Sequence, residues 1–177
     1  MKKIIALLLC LGIFAATATG CFGAGTAPET ATGDEASSLN EADYKDNFDG
    51  LCNYLSAHGY INPVDKNLYV VMEASLIGAS QGKKFTARHI ANVIIEIYEY
   101  DLSKLNDTAK SIRSSIEKNG SFSILDMDEV TNVYLSDSGK YLMIYTDPSI
   151  NDDNPDKNSD NYKKRAEVIE LFKAFKK

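Results

Sequence analysis

The 177 residues include no tryptophan, two histidines, three cysteines and four prolines. Each scarcity removes a class of chemistry. Cys10 and Cys21 fall in the first 21 positions, so the body of the chain holds Cys52 alone and can close no intramolecular disulfide. One thiol with His58 and His89 falls short of the four-ligand Cys and His sets of structural zinc sites. Basic residues are outnumbered too, 19 against 25 acidic, for a formal charge of -6. That balance argues against nucleic acid or an anionic bilayer as a partner held by a basic patch. Long apolar runs are also missing. The one such stretch, residues 4–16, is shorter than the ~20 residues a helix needs to cross a bilayer.

That stretch has a different logic. Lys2 and Lys3 precede it and small residues follow it, the layout of a secretory signal. Its end, Ala18-Thr19-Gly20-Cys21, resembles the lipobox of bacterial lipoproteins, with Ala18 where Leu is usual. The resemblance implies a signal peptide over residues 1–20, removal before Cys21, and acylation of Cys21 by palmitate-type chains. It places the protein at the cell membrane, lipid-anchored on the extracytoplasmic face. Two acyl chains give stable anchoring where one is marginal. Lys2 and Lys3 would leave with the signal, so 17 basic groups would face 25 acidic ones, a formal -8. Residues 21–40 are then the lipidated Cys and a tether of Gly, Ala, Thr and Ser that cannot bury enough surface to order itself. A flexible segment of that length spans roughly 25 Å.

Residues 41–177 read as one globular domain. Asn40 caps a helix reaching about Ala57, with Tyr44, Phe48, Leu51, Cys52 and Leu55 on one face. Residues 68–77 alternate as a strand, a helix being the other reading of so apolar a run, and 78–82 break it. Residues 91–100 form a second strand, with Val93, Ile95 and Ile97 on one side. Ser103 caps a helix whose stripe is Leu105, Ala109, Ile112 and Ile116, ending at Asn119-Gly120. Three strands follow, over 122–125, 130–135 and 141–146, the last two joined by a turn at 136–140. A polar loop leads to a terminal helix over 161–176 bearing Val168, Leu171, Phe172 and Phe175. The order α-β-β-α-β-β-β-α predicts an α+β domain, an antiparallel sheet of about five strands covered by helices on one face.

The chemistry-bearing residues form few patterns. Asp156, Asn158, Asp160 and Glu167 have the spacing of an EF-hand calcium loop, but Asn161 replaces the turn glycine and Pro155 obstructs an entering helix. A solvated loop with Asp160 capping the last helix explains them as well, and we assign no metal and no cofactor. Cys52 and His58 sit ~120° apart around a helix axis, which favours a buried structural thiol over a Cys-His pair. Tyr98, Tyr100, Tyr134, Tyr141 and Tyr145 all fall on strands. If the aliphatic side faces the helices, they form a half-exposed face suited to a protein or glycan partner, or else pair across strands.

Ile77-Gly78-Ala79 with Gly82, and Tyr98-Glu99-Tyr100-Asp101, resemble small uncharacterised lipoproteins of Gram-positive bacteria, which implies a location and no activity. The first functional reading is accordingly a non-enzymatic binding module of the cell envelope, with no catalytic residues. The alternative is an envelope-acting hydrolase using Glu73, Glu96, Glu99 or Asp101 as acid and base. A two-lobed solute-binding protein is disfavoured, because about 137 residues do not readily supply two lobes and a cleft.

Overall fold

The computed structural model describes residues 39–124 and 128–177. The signal, Cys21 and the tether lie outside the described residues. The chain forms α1 (Phe48–Ala57), β1 (Tyr69–Val71), β2 (Gln81–Thr86), β3 (Ile94–Glu99), α2 (Asp107–Asn119), β4 (Val133–Leu135), β5 (Tyr141–Thr146) and α3 (Asp160–Ala174). The strands make one five-stranded sheet in the order β1-β2-β3-β5-β4, antiparallel throughout. The α+β class and the antiparallel sheet are those expected. One strand has moved across α2: residues 81–86 pair on both sides, whereas Phe122 makes only an isolated bridge to Val130.

The layering differs from the expectation. Helices cover both faces of the sheet. On one face Phe48, Leu51, Cys52 and Leu55 of α1 and Val168, Phe172 and Phe175 around α3 meet Phe85, Ile95, Ile97, Tyr141, Met143 and Tyr145. On the other, Ala109, Ile112 and Ile116 of α2 and the 3-10 turn Ala74–Ile77 meet Tyr98, Tyr100, Val133 and Leu142. Alternation along β3 and β5 feeds both cores, since strands buried on two sides are apolar on two sides.

Helix starts are set by local side chains. The first helix is interrupted: Asn40 caps only a 3-10 turn, Glu41–Asp43, and Asn47 begins α1 by accepting from the Gly50 N–H at 2.8 Å. Gly50 permits the break, because a Cβ there would stand 1.9 Å from the Lys45 carbonyl oxygen. Asn106, not Ser103, caps α2, and Ser159, not Asp160, caps α3. Glu41 also closes the domain on itself, its carboxylate accepting from the Lys176 N–H at 2.7 Å while its carbonyl accepts from Lys176 Nζ at 2.9 Å.

The loop before α3 is fastened by that helix. Arg165 is 7% exposed and donates to Asp152 Oδ1 at 2.6 Å and to Asn132 Oδ1 at 3.2 Å. Asn132 donates in turn to Asp152 Oδ2 at 2.6 Å, and Asn161 donates to Asp147 Oδ2 at 3.0 Å. A buried guanidinium needs such partners, and the loop supplies them.

Gly82 explains why β2 reads poorly as a strand. A Cβ on it would lie 2.5 Å from Cδ1 of Tyr98, whose ring covers the glycine across the sheet. Gly82→Ala should therefore displace Tyr98 and cost roughly 1 to 3 kcal/mol. The readout is a lower urea midpoint at unchanged slope.

Candidate functional site

Glu99 ends β3 where the first residues of β2 and β5 meet it. Here Ser80, Gln81, Glu99, Asp101, Leu102 and Lys140 border an open groove of about 570 Å³. Glu99 accepts from Gln81 Nε2 at 2.6 Å and faces Lys140 Nζ at 3.6 Å. Lys140 reaches the other way to Asp46, meeting its carbonyl at 3.0 Å and its carboxylate at 3.3 Å, and lies 5.2 Å from the Tyr141 ring centre. The groove thus has an ammonium held between two carboxylates, bridging the start of α1 to the sheet.

Burial would lower the pKa of Lys140, but the hydrogen bonds of Tyr141 and Asp46 outweigh it and hold the group above its ordinary value. At the groove's other end Asp101 accepts from the Ser103 hydroxyl at 2.6 Å and from its N–H at 3.0 Å. Those bonds hold its carboxyl below the usual range. An ammonium kept protonated and a carboxylate kept ionised bind polar groups by hydrogen bonding and charge. They do not make an acid and base poised near neutrality.

The other carboxylates are apart from this groove. Glu73 accepts from Ser75 Oγ at 2.5 Å beside β1, and Glu96 accepts from the Tyr98 hydroxyl at 2.7 Å on the α2 face. Of the four acid/base candidates, the structure brings together Glu99 and Asp101 only. Lys140 and Asp46, which sequence reasoning passed over, join them through tertiary structure, 94 positions apart.

The tyrosines do not form a face. Register sets Tyr98 against Leu142 and Ile97 against Met143, which puts Tyr141 and Tyr145 on the side of Ile95 and Ile97. With both faces covered, Tyr98, Tyr100, Tyr141 and Tyr145 are all buried. Tyr134 is half-buried under Lys173, whose ammonium lies 5.5 Å from its ring centre. The half-exposed tyrosine surface expected for a protein or glycan partner is absent among the described residues.

Cys52 is fully buried in α1, and desolvation pushes its thiol up to about 12. Among the described residues no hydrogen bond joins it to a histidine. His58 stands in an aromatic cluster, edge-on to Tyr54 at 4.6 Å and stacked on Tyr60 at 6.0 Å, ring centre to ring centre. His89 sits beyond Tyr60, its Nδ1 3.2 Å from the Tyr60 carbonyl and its Nε2 3.4 Å from the Tyr145 hydroxyl. The calcium-type spacing is likewise dispersed. Asp156 accepts from the Asn158 N–H at 2.9 Å, Asp160 lies in the first turn of α3, and Glu167 pairs with Lys164 at 2.5 Å. Among the described residues no three His, Cys, Asp or Glu side chains converge as metal ligands do.

No helix among the described residues is long and apolar enough to cross a membrane. The chain matches no protein-family model, no curated protein and no solved structure.

Two outcomes follow from the buried groups. Alkylation of Cys52, read by peptide mapping, should track global unfolding and be negligible in the native protein, because the thiolate is the reactive form. Burial lowers the pKa of both His58 and His89 from 6.5. The unfolded chain therefore takes up more protons in the window just below that value, and stability should fall as pH drops through it. Urea midpoints between pH 7.5 and pH 5 should fall less steeply in the double variant His58→Gln, His89→Gln. The lowered carboxyls of Asp101 and Asp152 exchange protons mainly around and below 3.8, beneath that window.

Proposed function

We propose that the chain is a lipid-anchored, extracytoplasmic binding module of the bacterial cell envelope without catalytic activity. Its address rests on the cationic start, the short apolar run and Ala18-Thr19-Gly20-Cys21, with Cys21 as the acylated residue. Its non-catalytic character is carried by one observation: the carboxylates that could serve as acid and base are each tied to a neighbouring donor. Glu99 is bound by Gln81 and Lys140, Asp101 by Ser103, Glu73 by Ser75 and Glu96 by Tyr98. Such networks support polar recognition, and a rigid two-core sheet is a suitable frame on which to hold a surface in place.

The test has two arms. Full-length chain should incorporate radiolabelled palmitate and sediment with membranes, while Cys21→Ala should do neither. Retention of label by that variant would overturn the anchor. For the second arm, photo-crosslinking residues placed over the domain surface on intact cells should trap a defined envelope component, and the purified chain should hydrolyse no cell-wall fragment. Hydrolysis of cell-wall fragments, abolished by Glu99→Gln or Asp101→Asn, would convert the reading to an envelope hydrolase.

A further inference from the structure

The two edges of the sheet are treated differently. β4 is flanked by α2 and by α3, and its Val133 is 4% exposed. β1, at the opposite edge, leaves Val70 and Val71 at 55% and 74% exposure, and Leu68 just before it at 44%. Exposed apolar side chains on an edge strand are a liability that proteins ordinarily blunt with shortness, charge, proline or a covering element. At three residues β1 has the first of these alone among the described residues.

The backbone of β1 is also unfinished. The Met72 N–H donates to the Gly82 carbonyl at 3.0 Å. Antiparallel alternation therefore turns Val70 toward β2, opposite Lys84, and turns the N–H and C=O of Tyr69 and Val71 outward. Among the described residues no turn, loop or side-chain hydrogen bond reaches those four groups.

Side chains beside the edge indicate what would complete it. Val70, Leu68, Lys84 and Thr86, with Asn62 and Asn67, border a depression of about 280 Å³. Lys84 enters none of the ion pairs among the described residues, and the carboxylate beside it in register, Glu96, is taken by the Tyr98 hydroxyl. Lys66 stands exposed just before the strand, and its neighbour Asp65 is turned to Asn67. In a chain of net charge -6, Lys84 is thus, among the described residues, an ammonium without an ion pair beside the edge, while the carboxylates flanking the strand, Asp65 and Glu73, are engaged by Asn67 and Ser75. An added strand would lie two strand spacings, roughly 9.5 Å, from β2. Two extended side chains cover that distance.

We infer that β1 is a docking edge for an extended peptide of alternating acidic and apolar side chains, bound by strand addition. Its apolar residues lie on the face of Tyr69 and Val71 and cover Val71, the main chain completes the outward bonds of Tyr69 and Val71, and its carboxylates lie on the opposite face, where one meets Lys84 beside Val70. This deepens the binding-module reading and rests on it. A second copy is the poorer occupant, because pairing Tyr69 with Val71 of its counterpart would place both copies of Lys84 on one face of a continuous sheet.

The experiment uses full-length chain in detergent micelles and a fluorescein-labelled octapeptide alternating Val and Glu, with an octapeptide alternating Val and Lys as control. Anisotropy should show binding of the first and not the second. Val71→Pro removes an N–H that the sheet does not use and should weaken binding by at least about tenfold. Lys84→Glu should weaken it similarly and transfer preference to the Val-Lys peptide. Circular dichroism establishes that each variant is folded, and Lys84→Glu keeps the test decisive should Val71→Pro not fold. Unchanged binding in folded variants, or no binding of the Val-Glu peptide at millimolar concentration, overturns the assignment. So does a Val71→Pro-sensitive dimer in sedimentation, or Val71→Pro-sensitive binding to phosphatidylglycerol vesicles, where the peptide does not bind. If the peptide fails while surface crosslinking elsewhere traps a defined component, the edge assignment falls and the binding module stands. If nothing is trapped anywhere on the domain, both fall.

Discussion

The pairing of β3 with β5 at the centre of the sheet is the constraint on which the rest depends. Six residues of each strand face one another, from Ile94 with Thr146 to Glu99 with Tyr141. Because successive side chains leave a strand on opposite sides, this single ladder supplies two floors at once. Ile95, Ile97, Met143 and Tyr145 receive α1 and α3, while Tyr98 and Leu142 receive α2. A slip of one residue would exchange the two floors and present each helix with the wrong shapes. The outer strands have no comparable hold. β1 and β4 are three residues each and sit at the margins.

Two polar assemblies sit at the ends of this ladder. Near the end of β3, Lys140 joins Glu99 to Asp46 and ties the start of α1 to the sheet. On the far side Arg165 gathers Asn132 and Asp152, so the loop after β5 is secured to α3 and to the approach of β4. An exposed ion pair commonly contributes under about 1 kcal/mol, whereas the buried Arg165 guanidinium would be costly without its partners. The value of both assemblies is positional, because they decide which loop conformation the packed elements present.

Much of the fold was legible in the residues themselves. Phe48, Leu51, Cys52 and Leu55 recur at helical spacing, and Ile95 with Ile97 and Met143 with Tyr145 alternate as strands do. What escaped was relational. Gln81-Gly82-Lys83-Lys84 is polar and carries a glycine, so its strand character arises only from two partners and from the Tyr98 ring laid over Gly82. Alternation tells which tyrosines share a side of their own strand and is silent on how neighbouring strands align. That is why an apparent tyrosine surface proved to be two interiors. The groove around Glu99 was half visible: its carboxylates were named, but Lys140 and Asp46 have no local pattern that would join them. The proposed address, by contrast, rests on the first 21 residues and owes nothing to the fold.

The bond between Glu41 and Lys176 has a mechanical meaning. It pins the entry of the domain to the end of the last helix, whose Phe172 and Phe175 are seated in the deeper core. A pull on the chain before Asn40 is therefore passed through this staple to α3 before it reaches any strand. Load is shared between the two ends of the polypeptide, and the sheet, with its exposed margin, is spared from being peeled open.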